Sequence, residues 1–137
     1  MACEDKKGLN SRRKKTARGG LGDEMGKKSA VLELSLRPYP GTIKLCASRN
    51  SFYREHKKLF GDKGKDLTYN RGRMVGKWDD RTAWPTYVVW AERPAYLAHE
   101  MAHVVLHVFD LAGIDPVAAG GEPFCCLLSQ LLIDADR

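Results

Sequence analysis

Two histidines four residues apart, with a glutamate directly after the first, carry the clearest chemistry in this chain: His99-Glu100-Met101-Ala102-His103. On a helix, positions four apart lie one above the other on the same face, so both imidazoles converge on one metal ion. Glu100 projects beside them, where it takes a proton from a water held by that ion. The helix that must carry this set is legible too. The stretch from Pro94 to Gly113 is almost wholly apolar apart from its three histidines, Glu100 and Asp110. Pro94 suits a first helical position, and Gly113 suits the position just past the end.

A catalytic zinc site takes three protein ligands and leaves its fourth position for water. His107 lies about 12 Å beyond His99 along the axis, at about 1.5 Å per residue. Zinc–nitrogen bonds are only about 2.0–2.1 Å, so all three histidines do not share an ion on an unbroken helix. His107 is expected to be a packed or hydrogen-bonded histidine. Asp110 is a weaker candidate for an aspartate ligand and is expected instead to sit in the last turn, and Leu106 and Phe109 stand where a longer histidine motif needs glycine and histidine. Glu122 is the strongest candidate for the third ligand. It opens the next helix, and the loop 113–121 lets that helix fold back on the first. The plainer reading of Glu122 is an acid stabilised at a helix N-terminus.

The elements ahead of the histidine helix are mostly strands. Val31, Leu32, Leu34 and Leu36 mark the first, closed by the turn Pro38-Tyr39-Pro40-Gly41. Thr42 to Ala47 forms a second, with Ile43 and Leu45 on one side. Ser48 or Asn50 caps a short helix through Phe52, Tyr53, His56 and Leu59 that stops near Gly61. Residues 61–73 form a charged loop, Arg73 to Trp78 a weaker strand, and Asp79-Asp80-Arg81 a turn. Pro85 to Ala91 is the best strand, rich in β-branched and aromatic residues. A final helix runs from Glu122 to about Ile133. Strands first and helices last predict an α+β domain: a small, mostly antiparallel sheet packed against two C-terminal helices. The strand Thr86 to Trp90 is a candidate to bind an extended peptide as an added strand.

The 137 residues suit one domain of ordinary size. The net charge of +6 is uneven: residues 1–29 carry nine basic and four acidic residues, and residues 30–137 carry fourteen and thirteen. The basic character belongs to a tail, with Arg12-Arg13-Lys14-Lys15 at its centre and glycines behind it. Residues 6–28 are therefore expected either to contact nucleic acid or a neighbouring acidic protein surface, or to act as a solvated charge run. Apolar runs long enough to span a membrane are missing, and charges open the chain without an apolar segment behind them. The expected setting is the cytoplasm or a particle, with no secretion by a signal peptide and no membrane partner. The four cysteines, Cys3, Cys46, Cys125 and Cys126, show no C-x-x-C spacing. They are expected to be small buried thiols.

The HEMAH segment followed by GEPFCCLLSQLL resembles the gluzincin arrangement, in which a glutamate on the helix after H-E-x-x-H supplies the third ligand. More narrowly, the chain resembles the minimal metallopeptidase-like domains of tailed bacteriophages, in the style of ImmA/IrrE-type peptidases. The likeness covers about residues 30–135, with its specific part in 85–132, and leaves out the basic tail. It implies a minimal zincin-like domain over 30–137, Zn2+ bound by His99, His103 and Glu122, and Glu100 as the base of peptide hydrolysis. The substrate is then a peptide or protein, and Tyr87, Tyr96 and Arg93 are candidate oxyanion donors. Pro123 sets Glu122 at or just before the helix start. The alternatives are a non-catalytic virion component or host-directed binding protein that keeps the fold, a nucleic-acid binder acting through residues 12–18, and a coincidental motif on a buried helix.

Overall fold

The best strand of the sequence becomes the middle of the sheet. In the computed structural model, which describes residues 31–79, 81 and 84–136, Val31–Ser35 (β1) and Thr42–Cys46 (β2) form an antiparallel pair. Arg49–Phe60 (α1) follows, then Gly72–Asp79 (β3) and Trp84–Ala91 (β4). The order is β1-β2-β4-β3, with β2 parallel to β4 and β3 antiparallel to it. Pro94–Ala112 (α2) and Glu122–Ala135 (α3) close the chain, joined through a 3-10 turn at Ala118–Gly121. The domain is therefore α+β with a mostly antiparallel sheet, as the sequence implies. The basic tail, residues 1–29, lies outside the described residues, and so does Cys3.

Side chains alternate across a strand, and β4 is buried in both directions. Tyr87 and Val89 enter a core with Leu34, Ile43, Met101, Val104, Val105, Val108, Phe109, Leu127 and Leu131. Val88 and Trp90 enter a second core with Cys46, Phe52 and Leu67. This explains why β4 reads as a continuous apolar run. It also adds to the expectation of two covering helices: α2 and α3 pack on one face, and α1 contributes Phe52 to the other.

The peptide-docking role expected for Thr86 to Trp90 is corrected by the strand order. Both edges of β4 are hydrogen-bonded, to β2 and β3. Among the described residues, the free edges belong to β1 and β3.

Helix α1 starts and stops where its sequence dictates. Ser48 accepts from the Ser51 backbone, and the Ser51 side chain accepts from the Ser48 backbone, a reciprocal cap. Gly61, at φ 84°, ends the helix in the left-handed region. Arg49 reaches over the Trp90 ring at 4.6 Å and donates to the carbonyls of Leu67 and Asn70 at 3.0 and 3.1 Å. These bonds hold the long loop before β3 against the sheet. No helix among the described residues is long and apolar enough to cross a membrane.

Glu55 is buried, 5 % exposed, between Lys58 at 2.8 Å and Lys44 at 3.2 Å. Burial pushes its carboxyl up, but the hydrogen bonds from Lys58 and Lys44 outweigh this and hold it below the ordinary value of 4.5. A lowered carboxyl contributes stability that is present above the ordinary value and lost as pH falls through the folded one. Glu55→Gln should therefore cost about 1–3 kcal/mol near neutrality. Urea unfolding across the acid range should show this difference shrinking below pH 4.5.

Candidate functional site

Helix α2 is rotated by its core. Met101, Val104, Val105, Val108 and Phe109 are buried along one side. His99, His103 and Asp110 are thereby left exposed on the opposite side, and Glu100 is half-buried on the flank. Pro94 is in the first turn after the extended Arg93, and Gly113, at φ 69°, ends the helix by donating to Asp110 and Phe109. Both ends fall where the sequence puts them.

The structure brings the imidazole pair together. His99 Nε2 and His103 Nε2 are 3.1 Å apart, and the rings meet edge to face with centroids at 4.7 Å. Two nitrogens that far apart, each about 2.0–2.1 Å from a common ion, subtend about 100° there, close to a tetrahedral angle. The pair fits a divalent cation. Without one, the same distance suits a proton shared between the two rings.

Glu100 turns toward the sheet. A Cβ placed on Gly72 would meet Glu100 Cγ at 3.0 Å and Oε1 at 3.1 Å. The carboxylate thus rests on the bare backbone at the start of β3, the strand with the free edge. Sequence reasoning missed Gly72. Its signal was the spacing Gly72-x-x-x-Gly76, which sets two glycines on the same face of one strand. Gly76 has a parallel role: a Cβ there would lie 2.8 Å from Tyr87 Cε1.

Glu122 is not brought to the histidine pair. It opens α3 just ahead of Pro123, in the position the sequence assigns it, and its Oε1 accepts from Cys126 Sγ at 3.5 Å. Ala119, Gly120 and Gly121 before it all have positive φ. Phe124 packs on Phe109 at 6.3 Å, about 9 Å along α2 beyond His103. Among the described residues no group of three or more His, Cys, Asp or Glu side chains gathers to hold a metal ion.

The neighbours divide clearly. His107 is a hydrogen-bonded histidine: its Nδ1 lies 2.6 Å from the Tyr87 hydroxyl, edge to face with that ring. Burial pushes the Tyr87 hydroxyl up to about 12, so it stays protonated and donates when Nδ1 is free of a proton. Tyr87 is fully buried and bonded in this way, which removes it from the expected oxyanion donors. Tyr96 is half-buried with the Arg71 guanidinium 5.7 Å above its ring, and Arg93 is exposed. The expectation of buried thiols holds for Cys46, where burial and the nearby Glu55 push the thiol up to about 12. It is corrected for Cys125 and Cys126, which are exposed because α3 turns Leu127 and Leu131 inward instead. The hydrogen bond to Glu122 raises the Cys126 thiol.

Comparison of the chain with protein-family models, curated proteins and solved structures gives no match.

Two substitutions separate these contacts. Gly72→Ala pushes against the flexible end of Glu100, so it should turn that carboxylate away at a cost of about 1 kcal/mol or less. Thermal unfolding should change little, while any reaction that uses Glu100 slows. Gly76→Val drives a branched side chain into the Tyr87 ring and should destabilise by about 1–3 kcal/mol. Loss of the Tyr87–His107 contact should then be visible in the imidazole NMR signals.

Proposed function

We propose that this chain is a metal-dependent peptidase. The observation that carries the reading is the 3.1 Å approach of His99 and His103, with Glu100 between them in sequence and lying against the free-edged strand β3. In this reading His99 and His103 would hold Zn2+; the resemblance to gluzincins names Glu122 as third donor, but here it pairs with Cys126 and is not gathered with the two imidazoles. Bound zinc supplies Lewis acidity, which lowers the pKa of water toward neutrality and polarises a carbonyl.

The remaining work belongs to the protein. Glu100 takes the proton of the attacking water and hands it to the leaving amine. The unpaired backbone of β3 accepts an extended peptide as a further strand, which lays the main chain beside α2. Gly72 carries no side chain, so the peptide and the Glu100 carboxylate approach each other closely.

The test is a set of single variants assayed for zinc content and for cleavage of a mixed peptide library. Glu100→Gln should keep bound zinc and lose about 10²–10⁴-fold in rate. His99→Ala and His103→Ala should lose the zinc. Wild-type cleavage rates in Glu100→Gln would remove the base from the reading. Bound zinc without chelator-sensitive cleavage in the wild type would favour the non-catalytic binding protein.

A further inference from the structure

A cation stands at one end of the proposed peptide path. Arg71 immediately precedes β3, next to the glycine on which Glu100 rests. Three contacts hold it. Its carbonyl accepts from the Glu92 backbone at 2.7 Å, its Nη1 lies 3.3 Å from Glu92 Oε2, and its guanidinium sits over the Tyr96 ring at 5.7 Å. Tyr96 lies about one helical turn before His99 and Glu100, about 4.5 and 6 Å along the axis. The guanidinium is nevertheless open, with 59 % of the side chain exposed.

A guanidinium has five N–H donors in a fork that matches a carboxylate. Among the described residues, one hydrogen bond from this fork is seen, to Glu92. The rest of the fork faces water beside the reaction site. Arg73 on β3 and Arg93 ahead of α2 add positive charge at the same end, as does the N-terminus of α2 itself. Glu92 is the opposing charge. An exposed pair of this kind contributes little to stability, whereas its geometry keeps the arginine in one place.

We infer that Arg71 is a specificity-determining residue that binds a carboxylate of the peptide within one or two residues of the bond to be cut. The inference rests on the peptidase reading of the same site. The spacing follows from the geometry: an extended chain advances about 3.3 Å per residue, and Arg71 is one residue from the backbone that touches Glu100. The ligand chemistry is a carboxylate, from an aspartate or glutamate side chain or from the C-terminus of the peptide. The remaining N–H groups of the fork donate to it while Glu92 keeps its single contact.

The experiment uses the full chain loaded with zinc and matched peptides that carry Asp, Asn or Lys beside the cleaved bond, each with a free or an amidated C-terminus. Cleavage is measured with the wild type, and binding with Glu100→Gln, so that recognition is read apart from hydrolysis. The expected preference for acid over amide is on the order of tenfold, since hydrogen bonds to charged groups are the strong ones. In Arg71→Ala that ratio should fall to near one, and Arg71→Lys should restore part of it. Glu92→Gln removes the competing carboxylate and should raise the ratio, an effect that a merely structural ion pair does not produce. Preference for a free C-terminus with no preference for Asp assigns the carboxylate to the chain end, and the reverse assigns it to a side chain. An equal response to Asp and Asn and to acid and amide ends, or a preference that survives in Arg71→Ala, overturns the inference. Selective binding that depends on Arg71 without cleavage by the wild type supports it while refuting the peptidase reading.

Discussion

Strand β4 is buried on both faces from Tyr87 to Trp90 and has both edges paired, so these residues must find protein on two sides at once. Tyr87 and Val89 call for cover on one face, and Val88 and Trp90 call for it on the other. The chain meets the first demand immediately: α2 begins three residues after β4 ends and lays Met101, Val104, Val105 and Val108 back over the sheet. Fixing which residues of α2 face inward also fixes its rotation about its own axis. The paired imidazoles then fall on the outer side and Glu100 on the flank. The placement of the histidine pair is a by-product of how its helix packs.

That dependence explains what could be read in advance. The strand and helix spans follow from local signals: an unbroken apolar run, a reciprocal serine cap, glycines at two helix ends, and proline in the first turn of α2. The closeness of His99 and His103 follows from helical geometry alone. Strand order does not, because pairing partners are chosen by long-range packing, and β4 resembles an edge strand as much as a central one until α1 is seen on its far face. The aim of Glu122 was equally illegible. It depends on a turn in which Ala119, Gly120 and Gly121 all take positive φ, and no periodicity encodes that. Cys125 and Cys126 were misplaced for a related reason, since Leu127 and Leu131, not the cysteines, set the rotation of α3.

Around the imidazole pair, three elements are fastened at one point. The Tyr87 ring fills the space left by Gly76 on β3, and its hydroxyl reaches His107 on α2. Central strand, edge strand and helix therefore share one part-buried contact a single turn from His103. At the opposite end of the pair, Arg71, Glu92 and Tyr96 tie the start of β3 to the start of α2. Between the two fastenings lie Gly72 and Glu100. The flank that holds the carboxylate thus lies between these two sets of contacts.

The free edge of β3 brings a hazard as well as an opportunity, because unpaired strands invite their own kind. If two copies met antiparallel about Val75, Arg73 of each would stand opposite Lys77 of the other. Like charges set directly across a ladder repel, so self-association along this edge is disfavoured by its own side chains. A foreign strand without cations at those places meets no such penalty.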